Sequence, residues 1–213
     1  MKNVIIIGAN GRTAREIIRR VAEQPDVALT LFLRSPERIA DIATDAMRLV
    51  DGDAGDPEAL RAAVEGQNIV IVTAGGLDLH ETTSNVVAAA ERAGARRIVT
   101  ISAGGIYDEL PEPFNSWDLQ MVGSTRPANR AAADVVKQSS LDYTILRPVW
   151  LTDKKVTDVE LTRKDETYRG TETSRASLGA FIADLVADPG SHIGENLGIA
   201  QPGTDGDRPA AYR

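Results

Sequence analysis

The first residues with the spacing to do chemistry are glycines. Four apolar residues, Val4-Ile5-Ile6-Ile7, run straight into Gly8-Ala9-Asn10-Gly11-Arg12-Thr13-Ala14, and a helical pattern follows. In this GxxGxxA spacing, Gly8 makes a tight turn, Gly11 lets the backbone approach a pyrophosphate, and Ala14 keeps the helix close to the strand. The free N–H groups of the turn, from Asn10 to Thr13, and the positive end of the helix dipole then attract phosphates. A glycine-rich turn alone also fits an ordinary strand–helix connection. Here it sits in the strand–turn–helix context that dinucleotide binding requires.

A second cluster closes the next strand, in Leu33-Arg34-Ser35-Pro36-Glu37-Arg38. Domains that take NAD place Asp or Glu at this point, against the ribose 2′-hydroxyl. Arg34 and Ser35 are donors instead, suited to a 2′-phosphate, with Arg34 making a charge-assisted contact. Arg38 and Arg12 extend the basic pocket. The expected cofactor is therefore NADP, with NAD second; the bland alternative is a solvated arginine opening a helix.

These residues need a scaffold, and the rest of the chain supplies its pattern. Apolar runs at Asn3–Ile7, Ala28–Leu33, Met47–Val50, Ile69–Thr73, Arg97–Ile101 and Tyr143–Leu146 read as strands. Between them, Gly11–Gln24, Pro36–Ile42, Pro57–Val64, Thr82–Ala93 and Pro127–Ser139 carry apolar residues at helical spacing. The alternation predicts an α/β fold with a doubly wound parallel sheet, whose strand C-termini share one ligand-binding edge. After it, Trp150–Arg169 reads as polar and irregular, Ser177–Ala187 as a helix and Asn196–Ala200 as a strand. Residues 1–200 are expected to form one domain, with about 150–200 capping the cleft. Gln201–Arg213 is expected to be a terminal extension.

Composition narrows the function classes. With 213 residues and 42% hydrophobic content, the chain can bury one sizeable core. Its formal net charge of −7 argues against general binding to nucleic acid or anionic membranes. The absence of cysteine excludes disulfides, thiolate nucleophiles and zinc–thiolate sites. The two histidines, His80 and His192, lie far apart, and His80 reads as a helix-cap neighbour without chemistry. No apolar run approaches the roughly 20 residues of a membrane span, and a strand pattern starts at once. A cytoplasmic protein with a small-molecule substrate is expected.

The turn resembles that of the atypical short-chain dehydrogenase/reductases, specifically the small NmrA-like NAD(P)H-binding members with a Rossmann fold. So do Ile71-Val72-Thr73-Ala74-Gly75-Gly76, Ile101-Ser102-Ala103, and Asp142-Tyr143-Thr144-Ile145-Leu146-Arg147-Pro148, the last followed by Leu151-Thr152-Asp153. The resemblance covers nearly the whole chain. It implies cofactor contacts from Thr73, Ala74, Gly75 and Pro148. It also sets Asp53 at the family's adenine-contacting position, where an Asp serves equally well as a turn-former or helix cap.

Catalysis is where the pattern breaks. The superfamily's reductases use a tyrosine to move a proton, a lysine four residues later to lower its pKa, and a serine to orient the substrate carbonyl. Ser102 stands at the serine's place, although a Ser after a buried strand also serves as cap or turn. Counting back from Asp134, the tyrosine and lysine places fall on Arg126 and Arg130. None of Tyr107, Tyr143 or Tyr168 has a lysine four residues on, and the chain ends one residue after Tyr212. Arginine stays protonated and cannot act as a tuned general acid. The expected function is an NADPH-dependent oxidoreductase passing hydride to a quinone- or flavin-like acceptor that collects its proton from solvent. Tyr107, Phe114 and Trp117, after the fifth strand, are candidates to wall its substrate site. The rival is a non-catalytic NADP(H) sensor, a role found among NmrA-like proteins; a sugar-nucleotide epimerase would need the missing pair.

Overall fold

The computed structural model describes residues Met1–Arg213. Its strands, in chain order, are β1 (Lys2–Ile7), β2 (Val27–Leu33), β3 (Arg48–Asp51), β4 (Ile69–Val72), β5 (Arg97–Ile101), β6 (Asp142–Pro148), β7 (Trp150–Thr152), β8 (Glu160–Thr162), β9 (Glu172–Ser174) and β10 (Glu195–Ala200). The helices are α1 (Arg12–Val21), α2 (Pro57–Val64), α3 (Leu79–Arg92), α4 (Phe114–Val122), α5 (Arg126–Gln138) and α6 (Arg175–Ala187).

The main sheet has the order β3-β2-β1-β4-β5-β6-β10-β8. Every neighbouring pair in it is parallel except β10 and β8. The doubly wound parallel sheet read from the sequence is thus the observed architecture. Alternate residues of β1 enter opposite cores: Val4 and Ile6 pack with α1 and α6, while Ile5 and Ile7 pack with α2, α3 and α5. All four are fully buried, and each contributes roughly 1.5–3 kcal/mol by leaving water. α1 supplies its face through Ala14, Ile17, Ile18 and Val21, the three-and-four spacing that a helix on a sheet requires. The chain reverses winding direction between β1 and β4, so a crevice opens beyond their C-terminal ends.

The differences from expectation lie at the edges. Pro36–Ile42 is not an α-helix; one 3₁₀ turn spans Pro36–Ile39, in which Ile39 alone is buried and no apolar stripe holds further turns. The irregular stretch after Trp150 contains β7 and β8, and β7 pairs with β9 in a small parallel sheet of its own. The segment after β5 holds α4, whose buried residues are Phe114 and Asp118. The chain's last residues lie against β9 and an aromatic cluster. The Gln201 N–H donates to Glu172 O (2.7 Å), the Ala210 N–H donates to Glu172 Oε1 (2.6 Å), and the Tyr212 ring lies 5.2 Å from Trp117 and 5.1 Å from Trp150. No helix is long and apolar enough to cross a membrane.

Candidate functional site

The glycine turn sits at the switch point. Gly8 adopts φ +84°, and a Cβ there would come within 3.0 Å of the Ala74 N and 3.2 Å of Thr73 Oγ1. Only glycine lets β1 and β4 end this close. The Thr73 hydroxyl donates back across the gap, 2.9 Å from Ile7 O and 3.1 Å from Gly8 O.

Gly11 behaves differently. Its φ of −63° and ψ of 151° suit any residue, and the nearest atom to an added Cβ is Gly8 O at 3.8 Å. Nothing within the protein demands glycine here. The missing side chain leaves a cradle before the N-terminus of α1, which no side chain caps and whose first N–H groups are therefore free for a ligand. Such a cradle fits a pyrophosphate. Thr13 is half-buried in the first turn of α1, and Asn10 is steadied by the Arg15 guanidinium, which donates to its Oδ1 at 3.3 Å.

The turn joins two pockets. One, of about 220 Å³, is lined by Gly8, Arg34, Gly52, Asp53, Ala74 and Gly75 among others. Arg34 Nη1 and Asp53 Oδ2 pair there at 3.4 Å, both exposed. Asp53 also builds its turn, accepting from the Gly55 N–H at 2.8 Å, whereas Asp56 caps α2. Ser35 sits beside Arg34 at φ 60°, its N–H donating to Asp51 Oδ1.

The other pocket, of about 370 Å³, lies at the far side of the turn. Its wall includes Arg12, Ser102, Asp118, Arg126, Pro148 and Arg175, with Val122, Val149, Trp150 and Leu151 supplying apolar surface. Ser102 is fixed through its backbone, its N–H donating to Leu146 O (2.8 Å), and its hydroxyl lies 3.3 Å from Asn129 O. Arg12 reaches Asp153 Oδ2 at 3.0 Å, and Arg175 holds the other oxygen of that carboxylate at 2.7 Å. An ionic bridge thus ties the glycine turn to the segment after β7.

Arg126 and Arg130, which the sequence reading set at the tyrosine and lysine places, are both held by ion pairs. Arg126 is 8% exposed; its Nη2 donates to Asp118 Oδ2 at 2.7 Å and its Nη1 to Asn115 Oδ1 at 3.0 Å. Burial pushes the Asp118 carboxyl above its ordinary range, against the opposing pull of Arg126. The guanidinium rests on Gly105, at φ +81°, where a Cβ would fall 2.4 Å from Arg126 Cζ. Arg130 donates to Asp134 Oδ2 (2.9 Å) and Ile106 O (3.1 Å), and lies over the Tyr107 ring.

No tyrosine lines the 370 Å³ pocket. Tyr107 accepts from Asn196 Nδ2 at 2.8 Å, and burial raises its pKa. Tyr168 is buried at the backbone of β6 and β10, where burial raises its pKa further. Neither Phe114 nor Trp117 lines the pocket either: Phe114 is fully buried, and Trp117 packs between it and Trp150, which provides the aromatic wall. His80 is exposed in the first turn of α3. Sequence reasoning missed Asp118, Trp150 and Arg175 as lining residues, because contacts between α4 and α5, and between α6 and the segment around β7, leave no local signal.

Fold and crevice together define a single-domain Rossmann protein with a dinucleotide-type cleft at its switch point. Comparison with known proteins narrows this. The profile of the NAD(P)H-binding family matches residues 8–189, and the chain belongs to that family. A Rossmann-fold NAD(P)-binding family protein from Shigella flexneri is 40% identical, covers 98% of each chain and superposes with a TM-score of 0.84. A short-chain dehydrogenase/reductase from Veillonella parvula, solved in complex with NADP, is 27% identical over 98% of this chain and 99% of its own, with a TM-score of 0.89. UPF0659 protein YMR090W of Saccharomyces cerevisiae is 24% identical over 214 residues, 92% of each chain. The resemblance to short-chain dehydrogenase/reductases read from the sequence is consistent with this family and with the likeness to the Veillonella protein.

Proposed function

We propose that this protein is an NADPH-dependent oxidoreductase whose acceptor is a flat, quinone- or flavin-like molecule. The observation that carries the reading is Gly11: a glycine its own chain does not require, placed before an uncapped helix and between two pockets. Arg34 and Ser35 would hold a 2′-phosphate, Asp53 and Gly75 the adenosine end, and the turn from Asn10 to Thr13 the pyrophosphate. Thr73, Ala74 and Pro148 would then border the path towards Ser102. The NADP bound by the Veillonella relative supports the preference over NAD.

When bound, the cofactor supplies hydride. The chain positions the acceptor against Pro148, Val149 and Trp150 and offers the Ser102 hydroxyl to its oxygen. With Arg126 and Arg130 at the tyrosine and lysine places, acceptors sort by proton demand. NADPH consumption against a panel of quinones, flavins and aldehydes tests this, with turnover expected for the first two. Ser102→Ala should slow it modestly, since one neutral hydrogen bond contributes about 0.5–1.5 kcal/mol. Efficient aldehyde reduction would reveal a general acid and overturn the assignment. Tight NADPH binding without turnover would favour the second reading, a dinucleotide sensor, for which the two arginines speak.

A further inference from the structure

Asp118 is an unusual residue to find buried on α4. It is 5% exposed, while Leu119 and Met121 beside it are 49% and 47% exposed. A carboxylate in such a place needs compensation, and Arg126 gives it to one oxygen only, Oδ2 at 2.7 Å. The guanidinium has little freedom to do more, being held on Asn115 by Nη1 and seated on Gly105. Oδ1 receives no hydrogen bond; the side chain keeps 7% of its surface exposed, and Asp118 lines the 370 Å³ pocket. Elsewhere on the pocket wall, Val122, Val149 and Leu151 offer no donor, and the Ser102 and Thr125 hydroxyls donate to the Asn129 and Val122 carbonyls. The other cations of the pocket, Arg12 and Arg175, are drawn to Asp153. A pocket-lining carboxylate is therefore left with one oxygen whose lone pairs are unspent.

We propose that Asp118 sets acceptor specificity: its open Oδ1 accepts a hydrogen bond from the molecule in the pocket, so that molecule is flat and carries an N–H or O–H donor at its edge. The proposal rests on the reading of this pocket as the acceptor site. A ligand without the donor displaces water from the carboxylate and leaves it unpaired, which sites built on buried polar groups penalise strongly. Arg126 acts through Asp118, holding it in one orientation.

Lumiflavin and 3-methyllumiflavin differ at the required point, since methylation removes the N3–H donor. Their binding is read by flavin fluorescence in the presence of NADP⁺, with no turnover needed. The wild type should bind lumiflavin at least about tenfold more tightly, as befits a charge-assisted contact. In Asp118→Asn the ratio should collapse towards one, because Arg126 claims the amide oxygen and leaves the NH₂ facing the pocket. An unchanged NADPH titration shows that this variant is folded. Equal affinities in the wild type, including no binding of either flavin, overturn the proposal, as does a preference that survives Asp118→Asn. Failure of every acceptor to oxidise NADPH would remove the proposed reaction and leave this binding comparison standing.

Discussion

At the scale of single residues, the two glycines of the turn separate folding from binding. Gly8 serves the fold: its positive φ and the backbone 3.0 Å from a would-be Cβ mean that Gly8→Ala should cost about 1–3 kcal/mol of stability, read as a lowered denaturation midpoint. Gly11 serves a ligand, so Gly11→Val should fold with a near-normal midpoint and lose NADPH binding by calorimetry. Unchanged affinity in the folded variant would remove the turn from the site. Arg34 divides the two cofactors. Arg34→Asp replaces a phosphate-pairing cation with a like charge and should weaken NADPH more than NADH by about tenfold or more, since charge-assisted contacts contribute roughly 1.5–3 kcal/mol. Equal losses would refute the assignment. All three residues could be singled out in the sequence, because a glycine turn and a residue at a strand's end are local signals.

At the scale of elements, legibility follows length and pattern. The seven parallel strands of the main sheet were legible as short runs rich in apolar residues, and α1 by its buried stripe. α4 did not, because its apolar residues are the wrong ones: Leu119 and Met121 face out while Asp118 faces in. β7, β8 and β9, three residues each, are too short for alternation to register. What holds them is tertiary, and Glu172 on β9 is the clearest case. Burial works to raise its carboxyl, but Lys154 and the Ala210 N–H outweigh burial and hold it below its ordinary 4.5. A depressed carboxylate contributes stability above 4.5 and loses it as pH falls through its folded value. Thermal midpoints should therefore drop on acidification below that point, and drop less in Glu172→Gln. Identical profiles would show that this carboxylate does not secure the segment.

At the scale of the whole molecule, the cleft is assembled from both ends of the chain. The glycine turn lies near the N-terminus, Arg175 opens the last helix, and Tyr212 rests on the aromatic pair Trp117 and Trp150. No sequence pattern joins positions so far apart. The bridge from Arg12 through Asp153 to Arg175 is exposed over much of its length, so its contribution to stability is small, about 0–1 kcal/mol. The aromatic pair has another consequence. The chain contains two tryptophans, their rings are 5.2 Å apart, and one of them walls the pocket. The protein's intrinsic emission thus originates beside its proposed reaction chamber, and excitation passes between neighbouring indoles before it is lost. A flat chromophore entering the chamber should extinguish most of that light, while Trp150→Phe should leave a dimmer signal less sensitive to the same titration. Emission that ignores every bound acceptor would place the acceptor elsewhere; otherwise the chain reports its own occupancy without a label.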